Sequence, residues 1–453
     1  MDTRSEMRII FIIVCSLLSV FWISIEFSYA LYFGHDIPVI TSGQNLSLSP
    51  KQITATEKGD VYVVWVDKNN TYFTSSNDSG NKFAPKVPLS DSNKSSSIPQ
   101  VAATEKGDVY LVWVDKNNTY FTFSNDSGNK FAPKVLLSDG NKSSLTPQID
   151  VTEKGDVYVA WNDKNIKTGD SDVTFRSSND SGISFDDRKK ITRGKFVSTS
   201  PELTTTEKGG VYMVWVDKNN KTGEGDIEFI SSNDSGKTFS HIKELRGGDT
   251  LSYSPQIAAT EKGDVHVVWV DKGTKTGDTD ISFRSSHDAG RAFDDRIKLR
   301  SNNLLSFSPQ MVATERAEVF LVWTDINATT GESQISYKAS HDSGKTFERT
   351  INLNKDANIL SNYSSPQIAT TGNNSVYVTW VGNNQIEFSQ ILIDDALVGR
   401  PISLNNKTIS SSSPEIAAGA DGNVYVMWLD ENNAKDRSIH IKRISEYLFD
   451  RNS

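Results

Sequence analysis

Carboxylate side chains recur at regular positions along this sequence and are its most evident source of chemistry. An aspartate stands two residues after most of the tryptophans, in a series of seven: Asp67, Asp115, Asp163, Asp217, Asp271, Asp325 and Asp430. Two of the longer copies carry further aspartates, so the candidate metal ligands are Asp163, Asp170, Asp172, Asp271, Asp278 and Asp280. Oxygen-rich loops of this kind can bind Ca²⁺, although these lack the spacing of an EF-hand and its closing Glu. The alternative is that each Asp caps a turn, and we therefore expect no cofactor other than a candidate Ca²⁺.

Other catalytic chemistries find little support in the residue types. The single cysteine, Cys15, lies in an apolar N-terminal stretch, which excludes disulfides, thiolate metal sites and cysteine nucleophiles from the rest of the chain. None of the six histidines stands in a metal-binding spacing such as His-Glu-x-x-His, and Ser/His/Asp and phosphate-loop signatures are absent. The formal net charge is -9 and no long basic run occurs. Nucleic acid is therefore not expected as a partner, because that affinity depends on clustered cations.

These residues belong to a unit that is repeated eight times after residue 49. A proline opens each copy: Pro50, Pro99, Pro147, Pro201, Pro255, Pro309, Pro366 and Pro414. A tryptophan follows at a nearly constant offset: Trp65, Trp113, Trp161, Trp215, Trp269, Trp323, Trp380 and Trp428. Successive tryptophans are 48 to 57 residues apart, which suits a four-stranded antiparallel sheet with its turns. The unit is therefore predicted to be a propeller blade.

Each copy divides into four predicted strands. The first is short and rich in small residues, and a Glu-Lys-Gly-Asp turn follows it, where glycines such as Gly59 and Gly263 supply the positive φ of a tight hairpin. The second, such as residues 61–66, is apolar on both faces, which requires cover on both sides. The third alternates and the fourth is weaker and more polar. We predict an all-β, eight-bladed β-propeller of four-stranded antiparallel blades; seven blades are the alternative, because the seventh copy is degenerate.

The two ends of the chain are predicted to complete one blade together. The eighth copy has little chain left for a fourth strand after residues 439–444. Residues 37–42 resemble a fourth strand without the three strands that should precede it. An N-terminal strand that closes the last blade would cover two sheet edges and lock the ring.

A ring of amides and carboxylates is predicted at the mouth of the central channel. Each copy has a Gln or Glu just after its opening proline: Gln52, Gln100, Gln148, Glu202, Gln256, Gln310, Gln367 and Glu415. Glu202 and Glu415 fall in copies four and eight, on opposite sides of an eightfold ring, and are candidate ligand contacts. The alternative is a hydrated channel whose side chains satisfy backbone groups and water. Two carboxylates across a wide pore are too far apart to work as an acid/base pair.

Aromatic residues in the connectors between copies are the other candidate ligand contacts. Phe196, Tyr253, Phe307 and Tyr363 lie shortly before the opening prolines of copies four to seven. The antiparallel path places them on the same face as the loops between second and third strands, so they can offer a stacking surface for sugars or protein side chains. The alternative is that they fill gaps between blades.

A Ser-x-Asp-x-Gly-x-x-Phe motif lies between the third and fourth strands of six copies. Its first instance is Ser76 to Phe83, and its aspartates are Asp78, Asp126, Asp180, Asp234, Asp288 and Asp342. This resembles the Asp box, or BNR repeat, of the sialidase-like β-propellers, and the resemblance extends over nearly the whole chain after the N-terminal stretch. The residue types predict a structural turn, in which Ser and Asp oxygens accept bonds from amides, Gly takes a restricted conformation and Phe packs between strands.

The catalytic residues that the resemblance would imply are not found. Sialidases use three arginines, a Tyr/Glu nucleophile and an Asp, with the first arginine in a Phe/Tyr-Arg-Ile-Pro motif. The nearest string here, residues 33–38, has Ile-Pro without an arginine, and no predicted inner strand contains one. Arg176 and Arg284 lie in third strands, too far out to converge on the axis. Lysines cannot replace a bidentate carboxylate clamp.

The N-terminal stretch predicts export. Residues 9–25 are apolar, two arginines precede them, and Ser28-Tyr29-Ala30 matches a signal-peptidase site after Ala30. The alternative is an uncleaved anchor, which would be the only membrane contact. We therefore predict a signal peptide or anchor at 1–30, a propeller at 31–453, and a secreted or cell-surface protein. The predicted function is non-catalytic binding of an extracellular carbohydrate or protein; the alternatives are an exo-sialidase-type glycoside hydrolase and a structural component of a cell envelope.

Overall fold

The computed structural model describes an all-β chain, as the repeat predicts. The described residues are 30–40, 52–90, 96–140, 142–192, 197–219, 224–247, 250–273, 277–299, 304–354, 359–360, 365–372, 374–394, 397–405, 409–419, 421–433 and 436–447. Within these ranges no helix occurs that is long and apolar enough to span a membrane. The predicted signal or anchor segment, residues 1–30, lies outside the described residues except for Ala30, where the first strand begins.

Two short strands precede the repeats, and the described strands that follow form eight antiparallel units. The leading strands are β1 (Ala30–Phe33) and β2 (Ile37–Ile40). Units one and two consist of β3 (Gln52–Ala55), β4 (Val61–Asp67), β5 (Asn70–Ser76) and β6 (Val87–Pro88), then β7 (Ser96–Ala103), β8 (Val109–Asp115), β9 (Asn118–Ser124) and β10 (Val135–Leu136). Units three and four consist of β11 (Ser143–Val151), β12 (Val157–Lys164), β13 (Ser171–Ser178) and β14 (Lys189–Lys190), then β15 (Val197–Thr205), β16 (Val211–Lys218), β17 (Gly225–Ser232) and β18 (Lys243–Arg246).

The later units follow the same order with more variation at the outer edge. Units five and six consist of β19 (Thr250–Ala259), β20 (Val265–Gly273), β21 (Thr279–Ser286) and β22 (Ile297–Lys298), then β23 (Leu304–Ala313), β24 (Val319–Asn327), β25 (Glu332–Ser340), β26 (Ile351–Asn352) and β27 (Ile359–Leu360). Unit seven consists of β28 (Gln367–Thr370), β29 (Ser375–Gly382), β30 (Gln385–Leu392), β31 (Leu397–Val398) and β32 (Ile402–Ser403). Unit eight contains β33 (Ser410–Ala418), β34 (Asn423–Asn433) and β35 (Asp436–Tyr447).

The core lies between neighbouring units. Second strands such as β4 and β8 are buried along their whole length, which confirms that they are covered on both faces. One apolar cluster joins Val64 and Phe73 of unit one to Trp113 of unit two, and similar clusters join each later pair. A further cluster joins Trp65 of unit one to Met427 of unit eight. Units three to five form one 12-stranded sheet, joined by parallel pairing of β13 with β15 and of β17 with β19. The other units are separate open sheets, and the apolar clusters hold them together.

The N-terminal strands pair with the last unit. Ile37 lies opposite Ile441, as the predicted closure by residues 37–42 requires, while residues beyond Ile40 lie outside the described part of that segment. The sequence did not predict β1, which pairs with the other end of β35 through Phe33 and Ile444. Phe33 packs against the cluster between units seven and eight, whereas Val39 packs against the cluster between units eight and one. The N-terminal segment therefore contributes to both faces of the last unit.

The turns after the first strands and the Asp-box turns lie together on one face. Gly59, Gly107, Gly155 and Gly263 have φ values of 83° to 91°, as predicted for these hairpins. The backbone N–H of Ser127, in a box turn, donates to the Gly107 carbonyl at 3.1 Å. The glutamates of these turns also link neighbouring units, because each carboxylate accepts a bond from the Glu backbone N–H of the unit before it. The links join Glu57 to Glu105, Glu105 to Glu153, Glu153 to Glu207, Glu207 to Glu261 and Glu261 to Glu315.

Candidate functional site

The first strands of the units carry a repeated bulge at the face opposite the Asp-box turns. The residue before the opening proline has a positive φ, between 44° and 51°, in six described units: Ile98, Thr146, Ser200, Ser254, Ser308 and Ser413. The strand register shifts at the same point, and pairing resumes at the Gln or Glu after the proline. A positive φ is unfavourable for these residue types, so the bulge is a strained feature maintained by its surroundings. It marks the end of the central channel where the candidate residues lie.

The channel behind this mouth is lined mainly by small and apolar side chains. First strands of six units line a cavity of about 420 Å³ with residues that include Ala55, Thr204, Ala259, Ala313, Thr370 and Ala418. The Gln and Glu ring links neighbouring first strands. Gln52 accepts a bond from the Val101 backbone N–H at 2.5 Å, and the Gln256 side chain hydrogen-bonds to Glu202. The amide groups thus satisfy backbone and side-chain partners, as the hydrated-channel alternative predicts for part of the ring.

Glu202 is a carboxyl group whose pKa is shifted well above its usual range. Burial raises its pKa to about 8, against the opposing effect of the hydrogen bond with Gln256. Glu415 occupies the equivalent position of unit eight, in register with Met427. Glu202 and Glu415 thus belong to units four and eight, which are not neighbours along the chain.

Asp150 is a third carboxylate on the first strands, and its role was not predicted from the sequence. It accepts bonds from the Thr205 backbone N–H at 2.8 Å and the Thr205 hydroxyl at 3.1 Å, both in the next unit. Burial raises its pKa to about 6. The sequence did contain a sign that Asp150 is unusual. The residue two positions after the Gln or Glu is Thr, Ala or Val in every other copy.

Unit four contains another carboxyl group with an altered pKa. Glu228 lies opposite Trp215, at the position where units three and five have Thr174 and Ser282. Burial is the main cause, and repulsion from Asp217 the second cause, of a pKa of Glu228 raised to about 7. Unit four therefore carries two carboxyl groups that can hold a proton near neutral pH, Glu202 and Glu228.

The candidate aromatic residues have mixed environments. Tyr253 is half-buried and packs against the cluster between units five and six, and burial raises the pKa of its phenol. Phe307 is half-buried at the same position of unit six. Phe196 and Tyr363 lie outside the described residues. Leu145, at the equivalent bulge of unit three, is 39% exposed and was not identified from the sequence.

Two of the aspartates that follow the tryptophans, Asp163 and Asp271, are buried and form structural hydrogen bonds. Asp163 accepts bonds from the Trp161 indole at 2.7 Å, Ser144 at 3.1 Å and Thr174 at 3.1 Å, and Arg188 lies 3.3 Å away. Asp271 has the equivalent partners, including Arg296 at 2.6 Å. The sequence alternative was that these residues cap the adjacent turn. In the structure, Asp163 and Asp271 join three strands of their unit.

The other metal candidates do not converge with them. Asp172 forms ion pairs with Lys190 at 2.8 Å and Lys142 at 3.5 Å, and Asp280 pairs with Lys298 at 3.3 Å. Asp170 lies in the loop between β12 and β13, and Asp278 has the corresponding place before β21. Among the described residues, none of these six aspartates belongs to a group whose ligand atoms are close enough to share a metal ion. Donors and cations around Asp163 and Asp271 occupy the oxygens that Ca²⁺ would need.

The Ser-x-Asp-x-Gly-x-x-Phe motif has the same hydrogen bonds in all six copies. The Ser hydroxyl donates to the Asp carboxylate at 2.6–2.8 Å, and the backbone N–H four residues after the Asp donates to the same oxygen at 2.8–2.9 Å. The phenylalanine packs between units rather than between strands of one unit. Phe185, for example, meets Phe121 of the preceding unit edge-on at 4.9 Å. Bonds from Thr238 and Ser232 hold the pKa of Asp234 at about 2.

The third-strand arginines bind backbone carbonyls far from the channel mouth. Arg176 donates to the Leu137 carbonyl of the preceding unit at 3.4 Å and to the Asp186 carbonyl at 2.8 Å. Arg284 donates to the Leu245 carbonyl of its preceding unit at 3.2 Å. These guanidinium groups connect units and are not arranged as a carboxylate clamp.

The sequence matches no protein-family model and no curated protein. In structure the chain is similar to a PL25 polysaccharide lyase, an ulvan lyase bound to -[GlcA(1-4)Rha3S]-, with 14% identity, a TM-score of 0.52 and coverage of 82% of this chain and 98% of the lyase. The polysaccharide lyase Uly1 has 12% identity and a TM-score of 0.52, with coverage of 91% of this chain and 99% of that one. A leech intramolecular trans-sialidase aligns more loosely, with 10% identity, a TM-score of 0.42 and coverage of 92% and 98%. The similarity to the two lyases shows a propeller-type fold for this chain.

Proposed function

We propose that this protein is an exported propeller that binds an extracellular carbohydrate at the mouth marked by the strand bulges. The observation that carries the proposal is the combination of half-buried aromatic rings with polar groups on adjacent first strands. Tyr253 and Phe307 precede Gln256 and Gln310 on their strands, and Gln256 bonds to Glu202 of the neighbouring unit. Rings that stack on sugar faces beside groups that bind hydroxyls are the usual components of such a site.

The proposed molecule has eight blades, with the propeller at residues 31–453 and a signal peptide or anchor at 1–30. The support for eight is the order of the apolar clusters, which connect each described unit to the next and unit eight to unit one. The Arg443 guanidinium, in unit eight, also donates to the Ser79 carbonyl of unit one at 3.2 Å. Secretion or display at the cell surface rests on the N-terminal sequence.

Two features favour a neutral glycan over an anionic one as the ligand. The first strands contain no arginine, and Arg176 and Arg284 already bind carbonyl groups of neighbouring units. An anionic sugar therefore lacks the guanidinium partners that a carboxylate requires. A neutral glycan suits amide groups and a protonated Glu202 better.

A second candidate function is cleavage of a carbohydrate, whether by a hydrolase of the exo-sialidase type or by a lyase of the kind seen among the structural neighbours. The observation in its favour is the raised pKa of Glu202, since a carboxyl group that keeps its proton at neutral pH can act as a general acid. A structural role in a cell envelope is the third candidate, and sedimentation with envelope fractions in the absence of any soluble ligand would support it.

Binding and turnover assays on one preparation separate these functions. We expect selective binding on an array of neutral and acidic glycans, with no cleavage of a fluorogenic sialoside or of uronic-acid polysaccharides. Tyr253→Ala and Phe307→Ala should each weaken binding about 2- to 10-fold, the value of one stacking contact. Ile183→Ala is the control, because Ile183 is exposed in a box turn on the opposite face. Turnover that copurifies with the protein and disappears in Glu202→Gln would show that the protein is an enzyme rather than a non-catalytic binding protein.

A further inference from the structure

A cluster of four polar residues lies where the N-terminal segment meets the last unit. We call this the closure cluster, and it consists of Asp36, Asp430, Ser438 and His440. Asp36 lies in the three-residue link between β1 and β2, Asp430 is in β34, and Ser438 and His440 are in β35. No local pattern indicated it, because Asp36 and His440 are separated by 404 positions. The sequence carries no Ser/His/Asp signature, and these residues come together only in the folded chain.

The imidazole of His440 is the centre of the closure cluster. Its Nδ1 lies 2.8 Å from Asp36 Oδ1, while its Nε2 lies 2.7 Å from Ser438 Oγ and 3.5 Å from Asp430 Oδ2. The ring stacks on Trp428, with ring centroids 5.9 Å apart and an interplanar angle of 17°. The Ser411 hydroxyl donates to the other Asp430 oxygen. His440 is therefore held in one orientation from several sides.

Unit eight has a histidine, His440, opposite its tryptophan, where three other units have a hydroxyl residue that bonds to the buried aspartate. In units three, five and six the residue opposite the tryptophan is Thr174, Ser282 or Ser336, and its hydroxyl donates to the buried aspartate. In units three and five an arginine, Arg188 or Arg296, also pairs with that aspartate. In unit eight the corresponding Asp430 oxygen faces an imidazole nitrogen. A donor has thus been replaced by a group that can also ligate a metal.

The contacts follow the order of a Ser-His-Asp triad, but burial argues against a nucleophilic serine. Ser438 is 8% exposed and lies within β35, paired with Asp430 across the sheet. A carbonyl substrate cannot reach the Ser438 hydroxyl at that position without opening the strand pair. Nucleophilic catalysis also needs donors for the developing oxyanion, and the hydroxyls nearest to His440 already bind the closure cluster.

We propose that the closure cluster binds a divalent transition-metal ion of the Zn²⁺ class. The Asp36 carboxylate beside Nδ1 favours a proton on that nitrogen and leaves the Nε2 lone pair directed at Asp430 and Ser438. Two ligands at about 2.0–2.2 Å from a tetrahedral ion are about 3.4 Å apart, close to the Nε2 to Asp430 separation of 3.5 Å. His440, Asp36 and Asp430 each offer a ligand atom within 4.8 Å of the others, and they are the one such group among the described residues.

The ligand types decide which cation fits. An imidazole nitrogen with a carboxylate oxygen suits Zn²⁺ and its neighbours, whereas Ca²⁺ prefers six to eight oxygen ligands. Asp430 and His440 Nε2 would bind the ion, water would complete its coordination in place of the Ser438 hydroxyl that now bonds to Nε2, and Asp36 would orient the imidazole from Nδ1. Such an ion would hold the link between β1 and β2 against the last unit, and so strengthen the closure.

Titration of the metal-stripped full-length protein tests the proposal. We expect calorimetry to detect one Zn²⁺ per chain and no binding of Ca²⁺ at this cluster, with the thermal midpoint raised by Zn²⁺. His440→Gln should abolish the binding, and Asp36→Asn, an exposed position in a link, should weaken it about 10- to 100-fold. His287→Gln is the matched control, because His287 also lies between two carboxylates, 2.8 Å from Asp264 and 3.1 Å from Asp294, on the opposite face.

Several outcomes would overturn the proposal. Absence of Zn²⁺ binding, or equal affinity in the wild type and in both closure-cluster variants, would refute it. A thermal midpoint that responds to pH through His440 but not to Zn²⁺ would assign the closure cluster to a proton-dependent ion pair instead. Circular dichroism of each variant checks folding, and Asp36→Asn keeps the test decisive if His440→Gln does not fold. Because the closure cluster is separate from Tyr253 and Phe307, glycan binding can fail while Zn²⁺ binding succeeds, and the reverse.

Discussion

At the scale of single residues, the protein places acidic groups where burial changes their protonation. Glu202, Glu228 and Asp150 all have pKa values raised by burial, to about 8, 7 and 6. The box aspartates show the opposite shift, because several hydrogen bonds stabilise their charged form, as at Asp234. The same kind of side chain therefore serves as a neutral group near the axis and as a charged staple in the turns.

Glu202 should make the protein less stable as pH rises. Its folded pKa of about 8 exceeds the ordinary value of 4.5, so the folded state holds the proton more tightly and its stabilising effect is lost between about pH 4.5 and 8. Glu202→Gln keeps a neutral hydrogen-bonding side chain and should reduce this loss of unfolding free energy by about 1–2 kcal/mol, less than the full pKa shift implies because residue 202 is only partly buried. Urea unfolding at pH 5, 6.5 and 8 measures the difference. An identical pH slope in wild type and variant would contradict the assignment.

The buried aspartates after the tryptophans should contribute stability without Ca²⁺. Asp163→Ala removes the acceptor for Trp161, Ser144 and Thr174 and leaves Arg188 with one partner fewer, so we expect a loss of about 3 kcal/mol. Asp170→Ala, in the adjacent loop, should change the free energy of unfolding by about 0.5 kcal/mol or less. Denaturant unfolding with and without Ca²⁺ checks both statements. A Ca²⁺-dependent midpoint that disappears in either variant would restore the loop as a calcium site.

At the scale of elements, the box turn connects one unit to the next. Its glycine combines a positive φ with close approach to the preceding unit. A Cβ on Gly182 would lie 2.6 Å from the Phe121 ring, and the box phenylalanine Phe185 contacts the same ring. The turn therefore requires glycine for two separable reasons, backbone conformation and space between units.

Two glycines of unit three separate these reasons. Gly169 has φ +80° and no atom lies within 4 Å of the position that a Cβ would take there, whereas Gly182 has φ +81° and the Phe121 collision. Gly169→Ala should therefore cost about 1 kcal/mol from backbone strain alone. Gly182→Ala should cost about 1–3 kcal/mol more, because the Phe121 ring must move. Equal losses of unfolding free energy would mean that the unit interface adapts without cost.

At the scale of the whole molecule, the chain ends meet in the last unit. Strand β35 has 12 residues and pairs with β34 on one edge and with β1 and β2 on the other. Without the N-terminal strands, this long edge would present unpaired backbone groups to solvent. The closure cluster lies at the same junction, so strand pairing and side-chain contacts act together there.

Truncation should distinguish the closing strands from the segment before them. Deletion of residues 1–29 leaves β1 and β2 intact and should leave the thermal midpoint unchanged. Deletion of residues 1–40 exposes the edge of β35 and removes Phe33 and Val39 from their clusters, so we expect lower stability and association of the shortened chains. Thermal unfolding and light scattering measure the two effects. Equal stability of the two truncated chains would refute closure by the N-terminal strands.

The repeated architecture could be predicted from local patterns in the sequence. The spacing of the tryptophans, the apolar second strands and the glycine turns follow from local chemistry, since side-chain alternation and positive φ are properties of a few adjacent residues. The pairing of residues 37–40 with the last unit was also predictable, because one copy lacked a strand and the N-terminus supplied one. The turn bonds of the box could be anticipated from Ser, Asp and Gly at fixed offsets.

Which distant residues share a site depends on how the units pack in the folded chain. Asp163 was a candidate turn cap or metal ligand until folding placed Arg188, Ser144 and Trp161 around it. Likewise, the meeting of Asp36 with His440 depends on where β1 and β2 join β35, which no local pattern encodes. Protonation also depends on the tertiary structure, because burial and not the neighbouring residues in sequence raises the pKa of Glu202. Local interactions thus select the strands and turns, whereas the chemistry depends on packing between units.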